Sequence, residues 1–279
     1  MEQIFLKACA KLNLFLDITG KCENGYHLIK SVMQSVDIFD RVSVKKSSEI
    51  SVKCSESALD GENNLAHKAA ALFFGQTGIA GGAEIYIEKR IPMQAGMAGG
   101  SADAAAVLRG LNAIYEAKLS AEELCAMGAR LGADLTFCLC GGTMLCEGIG
   151  ERLSPLPELS DCFFVIVKPE IGMSTAESYR IYDEHEAARL EHGDLSAMST
   201  ALEAENIQDV GKALYNALEC TVPNSVLKIK SALLKVGAEG ALMTGSGTAV
   251  FGIFESIEKA AEARAALSSD YNNIFIARP

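Results

Sequence analysis

From Leu6 the chain alternates cleanly. Leu6, Ala8, Ala10, Leu12, Leu14, Leu16 and Ile18 fall on one face, the period-2 signature of a strand with one buried side. Lys11 and Asn13 then share the opposite face, one side-chain step apart. Asn24-Gly25 marks a turn, and β-rich sequence resumes through Val36, Ile38, Val42 and Val44. The stretch from Asn64 to about Phe74 reads as a helix, and Glu84 to Glu88 as a strand with Ile85 and Ile87 inward. A glycine-rich loop leads into a helix expected from about Ala102 to Tyr115, with Val107, Leu108, Leu111 and Ile114 as its apolar stripe. Ser120-Ala-Glu-Glu123 has the form of a capping box opening another helix. Gly141 to Leu153 reads as a strand pair, and Pro155 and Pro157 punctuate a linker.

Beyond the linker, Phe163 to Val167 reads as a buried strand and Ser174-Thr-Ala-Glu177 as a second capping box. Helices are expected to about Val236. From Gly240 the pattern runs strand, tight Gly-Ser-Gly turn, strand, helix (Ile257 to Leu267) and a last strand near Ile274. Strands and helices that interleave without a regular βαβ rhythm predict an α+β fold, not a doubly wound sheet.

Composition narrows the function classes. At 279 residues, 49% hydrophobic and 22% charged, the chain has material for one large core or two ordinary ones. A formal net charge of −11 disfavours nucleic acid and anionic membranes, which call for a basic face. It leaves room for a polyphosphate held by backbone N–H groups and Mg²⁺. The nine cysteines are odd in number and lack paired CxxC spacing, and Cys138 and Cys140 sit in an apolar stretch, so they read as buried free thiols of a reducing cytoplasm. The start, Met1-Glu2-Gln3, does not have the organisation of a signal peptide, and no apolar run approaches the roughly 18 residues of a membrane span.

The richest chemistry lies in Pro92-Met93-Gln94-Ala95-Gly96-Met97-Ala98-Gly99-Gly100-Ser101-Ala102. Glycines let the backbone approach a ligand, and the helix that follows offers free N–H groups and a positive dipole end, which suit phosphate. The loop is not a Walker A sequence, because no Gly-Lys-Ser/Thr follows, and the GxGxxG spacing of a dinucleotide fingerprint is absent. An ordinary turn capped by Ser101 or Asp103 stands as the bland alternative. Thr244-Gly-Ser-Gly-Thr248 could be a plain hairpin, Asp134 a helix cap, and Lys11 a solvent-facing strand lysine.

Taken together, Ala10-Lys-Leu-Asn-Leu-Phe-Leu16, the loop from Pro92 to Ala102 and Gly245-Ser-Gly247 resemble the three motifs of the GHMP kinase superfamily. Asn24-Gly-Tyr-His-Leu28, Gly132-Ala-Asp134 and Glu147-Gly-Ile-Gly-Glu-Arg152 narrow the resemblance to the branch that acts on a cytidine diphosphate-linked methylerythritol in the non-mevalonate isoprenoid route. The resemblance spans roughly residues 4 to 254. It implies two subdomains, 1–153 and 154–279, with the active site in the cleft between them. It also implies transfer of phosphate from ATP, with Mg²⁺, to the 2-hydroxyl of that acceptor.

By the same resemblance Asp134 is the general base and Lys11 its cationic helper, while residues 92–102 hold ATP. Tyr26 and His27 read the cytosine, Asn13 contacts the methylerythritol end, and Tyr179 is a second stacking wall. A cytoplasmic monomer or weak homodimer is expected. The sequence departs from the family's Gly-Leu-Gly-Gly-Gly-Ser-Ser at Met97, Ala98 and Ala102, and Asn24 stands where Asp is frequent. Another GHMP kinase, for homoserine or mevalonate, is disfavoured by the Asn24-to-His27 segment. A non-catalytic nucleotide sensor is disfavoured by the presence of both Lys11 and Asp134.

Overall fold

The computed structural model describes residues 1–185 and 192–279. The chain forms two compact units, neither continuous in sequence. One comprises Met1–Ala10, Ile38–Pro92 and Ala98–Gly141, and the other Lys11–Asp37, Met93–Met97 and Gly142–Pro279. Two long strands, β1 (Gln3–Lys21) and β2 (His27–Ser47), each contribute one part to each unit.

In the first unit the later elements are β3 (Ser51–Cys54), α1 (Leu65–Thr77), β4 (Gly82–Glu88), α2 (Gly99–Ile114), α3 (Ala121–Ala129) and α4 (Ala133–Cys140). β4 pairs antiparallel with Arg41–Ser47 of β2 and parallel with β3. Ile85 and Ile87 point inward as their alternation demands, beside buried Val42 and Val44. Asn64 caps α1 by accepting from the Ala66 amide, 2.8 Å. At α3 both halves of the expected capping box form: Ser120 Oγ accepts from the Glu123 amide, and the Glu123 carboxylate from the Ser120 amide. Alanines make the α1–α2 seam narrow, with Ala66, Ala69 and Ala70 facing the core.

The second unit continues with β5 (Thr143–Gly148), β6 (Arg152–Pro155), β7 (Phe163–Val167), α5 (Thr175–Glu184), α6 (Leu195–Glu203), α7 (Ile207–Ala213), β8 (Tyr215–Asn216), α8 (Asn224–Lys235), β9 (Gly240–Met243), β10 (Val250–Phe254), α9 (Ile257–Leu267) and β11 (Ile274–Ala277). β5 pairs with Ile29–Gln34 of β2 and with β6, as the strand-pair pattern predicts. Four strands form a separate antiparallel sheet in the order β11-β7-β10-β9. Val226, Ile229 and Leu233 of α8 and Ala260, Ala263 and Leu267 of α9 are buried in one cluster with Val165, Val167, Met243 and Phe254 of that sheet. Each fully buried aliphatic side chain contributes about 1.5–3 kcal/mol.

Three local expectations are modified. The helix expected from Ala102 begins at Gly99, because Ala98 takes a left-handed turn (φ 57°) that opens the helix inside the glycine run. The second capping box is half-formed: Ser174 accepts from the Glu177 amide, but the Glu177 carboxylate bonds Arg180. In β1 the polar face is also interior, with Lys11 and Asn13 buried among their apolar neighbours.

Candidate active site

Burying a lysine costs heavily unless its ammonium is hydrogen-bonded. Lys11 is 3% exposed. Its Nζ donates to the Gly96 carbonyl at 2.5 Å and to Asn13 Oδ1. Asn13 is fixed in turn: Nδ2 donates to Ser31 Oγ at 2.8 Å, and Ser31 Oγ donates to the Phe15 carbonyl at 2.6 Å. The Asn13 amide N–H donates to Thr244 Oγ1 at 2.9 Å. Three expected motifs therefore meet inside the second unit: the strand carrying Lys11 and Asn13, the loop at Gly96, and the Gly-Ser-Gly turn.

Glycine is required on both sides of that meeting. Gly96 has φ +73°, and a Cβ there would lie 2.1 Å from the Thr244 carbonyl oxygen. Gly245 has φ +55°, and its Cβ would fall 2.8 Å from the Gly96 oxygen and 3.0 Å from Lys11 Nζ. Asn216 Nδ2 holds the turn by donating to the Met243 and Gly245 carbonyls, at 2.7 and 2.9 Å. Ser31 and Asn216 carried no sequence signal. Thr244 lay inside a recognised segment but had no assigned role.

Met93 is exposed, Ala95 and Met97 are buried, and Gln94 (φ 49°) shares with Ala98 a conformation normally left to glycine. In the first unit, Ala98 provides no side-chain cap to α2. The amides of the first helical turn at Gly99, Gly100 and Ser101 thus have no side-chain acceptor at the cap, which leaves the arrangement a phosphate prefers. Ala102 is buried, its amide bonded to the Ala98 carbonyl at 2.9 Å. Pro92 stands at the last residue before the chain leaves this unit.

The first unit also holds a buried charge cluster that sequence reasoning did not reach. Lys89 Nζ bonds Asp103 Oδ2 at 2.7 Å and also Asp40 Oδ2. Asp40 Oδ1 accepts from the amides of Arg90 (2.5 Å) and Ile91 (2.8 Å), whereas Asp103 Oδ1 is buried without a partner. Burial, reinforced by Asp40, outweighs the pull of Lys89 and pushes the Asp103 carboxyl up to about 7. Burial works against the Lys89 ammonium, but Asp103 and Asp40 more than offset it and raise its pKa. Asp134 also belongs to this unit, in the first turn of α4, where an acidic side chain suits the helix dipole.

A second cluster in the second unit gathers the residues expected to read a base. Tyr26 is 61% exposed on the turn after Asn24, whose Oδ1 accepts from its amide at 3.2 Å. His27 stacks on Tyr179, with ring centroids 4.7 Å apart and planes 21° from parallel, and meets Tyr182 edge-on. His27 Nε2 lies 2.7 Å from Asp183 Oδ1, and Lys21 Nζ lies 2.5 Å from Asp183 Oδ2. Burial opposes ionisation of Asp183, but Lys21 and His27 prevail and lower its pKa. Tyr182 and Asp183 were not singled out. Their spacing of three and four from Tyr179, one helical face, was the available signal.

A fold of this kind, with a glycine loop, a glycine turn and a buried strand lysine, defines a class of small-molecule kinase. The profile of GHMP kinases N terminal domain matches residues 64–142 and that of GHMP kinases C terminal matches 198–273. The chain belongs to the GHMP kinase family, and it is a kinase. It is 42% identical over 278 residues to the 4-diphosphocytidyl-2-C-methyl-D-erythritol kinase of Clostridium tetani, covering 98% of this chain and 99% of the relative. The enzyme of that name from Carboxydothermus hydrogenoformans is 44% identical over 259 residues, 91% and 90% of the two chains. A crystal structure of 4-(cytidine 5'-diphospho)-2C-methyl-D-erythritol kinase matches with a TM-score of 0.83 at 31% identity, over 98% of both chains. Homoserine kinase from Cytophaga hutchinsonii shares the fold, with a TM-score of 0.78 at 19% identity over 99% and 95%.

Proposed function

We propose that the chain phosphorylates the 2-hydroxyl of 4-diphosphocytidyl-2-C-methyl-D-erythritol at the expense of ATP, in the cytoplasm. The observation that carries the acceptor is the stacked pair of His27 and Tyr179, with Tyr26 next to His27 in sequence, in a chain 42% identical to a relative of that name. A stacked imidazole and phenol beside an exposed Tyr26 suit a planar base, which homoserine and mevalonate lack.

The residues fit the nucleotide. Gly99 and Gly100, at the uncapped start of α2, offer backbone N–H groups to phosphate oxygens. Among the described residues no group of three or more His, Cys, Asp or Glu is placed to hold a metal. Mg²⁺ would therefore ride on the phosphates, with the Ser101 hydroxyl as the protein contact at the loop. When bound, Mg²⁺-ATP supplies the electrophilic phosphoryl group.

This chain's own residues then position and move a proton. Asp134 accepts the proton of the acceptor hydroxyl as its oxygen attacks. Lys11, held by Gly96 and Asn13, brings a fixed positive charge to the transferring group. Asn13 contacts the methylerythritol end, its Nδ2 carrying a second N–H besides the one donated to Ser31 Oγ.

The test is ADP release with Mg²⁺-ATP against the cytidyl acceptor, homoserine and mevalonate in parallel. Turnover with the cytidyl acceptor alone is expected, and Asp134→Asn should lower kcat about 10²–10⁴-fold, the range of general-base contributions. Turnover with another acceptor would remove the base-reading role of Tyr26 and His27. Full activity in Asp134→Asn would remove the assigned base.

A further inference from the structure

Cys125 on α3 and Cys140 at the last residue of α4 bring their sulfurs to 3.5 Å. Both are thiols in the first unit; Cys125 is half-buried, and Cys140, expected to be buried from its apolar stretch, is exposed because it ends α4, whereas Cys138 is buried. A disulfide needs about 2.05 Å between sulfurs, so closure requires the two sulfurs to approach by about 1.5 Å. We propose that this pair is a redox modification site, closed to a disulfide by a hydroperoxide and reopened by a dithiol.

The exposed sulfur is the one an oxidant reaches, and burial with the neighbouring Cys140 pushes the Cys125 thiol up to about 12, so Cys125 keeps its proton. The Cys140 thiolate attacks one peroxide oxygen, the O–O bond breaks, and Cys140 becomes a sulfenic acid with release of hydroxide. The Cys125 sulfur then attacks the sulfenic sulfur. The S–O bond breaks, and the departing hydroxide leaves as water with the Cys125 proton. Two thiols and one hydrogen peroxide thus give one disulfide and two waters, each sulfur losing one electron. The cross-link ties the C-terminal end of α4, the helix that carries Asp134 in its first turn, to α3.

The folded full chain is treated with hydrogen peroxide, the remaining thiols are alkylated, and tryptic peptides are mapped by mass spectrometry with and without dithiothreitol. The expected product joins the peptide 119–130 to the peptide 131–152, with fragmentation placing the link on Cys140 rather than Cys138 or Cys146, and it disappears on reduction. Cys140→Ser should cut its yield at least tenfold. Cys125→Ser should leave a Cys140 sulfenic acid that dimedone traps. Oxidation of Cys140 to sulfinic or sulfonic acid with Cys125 still alkylated would overturn the proposal. So would a link from Cys125 to any other cysteine.

Discussion

Asp103 offers the sharpest physical test in the molecule. Lys89 faces two carboxylates, Asp40 and Asp103, so one negative charge is surplus. Asp40 has two backbone amides, while Asp103 leaves Oδ1 buried and unpartnered, so the surplus falls on Asp103. Its carboxyl is pushed from 3.8 to about 7. In this window the folded chain holds a proton that the unfolded chain has released. Stability therefore falls as pH rises from about 4 through about 7, and flattens above. A shift of roughly three units at 1.36 kcal/mol each sets a ceiling of about 4 kcal/mol, and local relaxation reduces that to about 2 kcal/mol. Asp103→Asn keeps the shape and removes the titration. In a chain of this size, 2 kcal/mol corresponds to about 4–8 °C in Tm. Thermal unfolding of both proteins from pH 5 to pH 8 at fixed ionic strength should show the variant gaining that margin at the alkaline end. Parallel Tm profiles across the window would refute the reasoning.

Two other substitutions probe the two units separately. Ala98 sits at φ 57°, where a Cβ costs about 1–2 kcal/mol; Ala98→Gly should recover part of this as a Tm gain of a few degrees, read by calorimetry. Asp183→Ala removes the carboxylate that joins Lys21 to His27; the KM for the cytidyl acceptor should rise about tenfold, near 1.4 kcal/mol, with kcat and the KM for ATP held within twofold in steady-state kinetics.

Periodicity was sufficient wherever one force dominated. The strand Phe163–Val167 and the helix Ile257–Leu267 appear with the boundaries read from the sequence, because a solid apolar run and a clear cap left no competing choice. The start of α2 was missed by three residues because glycine's low helix propensity argues against helix at Gly99 and Gly100. The left-handed turn at Ala98 and the neighbouring side chains of Ile91 and Lys89 at Gly99 override that preference. Glu177 fitted a capping box by spacing alone, yet Arg180 on the same helix face competes for its carboxylate and takes it.

The site was legible only in part, and the division follows from what a linear pattern can encode. Lys11, Gly96 and Gly245 lie in motifs, and alternation placed Lys11 and Asn13 on one face. Alternation alone assigns a lysine to solvent, whereas here the ammonium is buried against a carbonyl 85 positions away. Ser31 and Asn216 hold Asn13 and the glycine turn from further along the chain, and no local spacing announces a hydrogen bond of that range. The same holds for the pairing of Lys89 with Asp40, 49 positions apart. A lysine just past the end of β4 and an aspartate on β2 each have an unremarkable local reading, and their cost and role arise only when folding removes both from water. Residues that lie in motifs can therefore be named from sequence more readily than the residues that fix their charge and direction, since the latter are selected by distance in space.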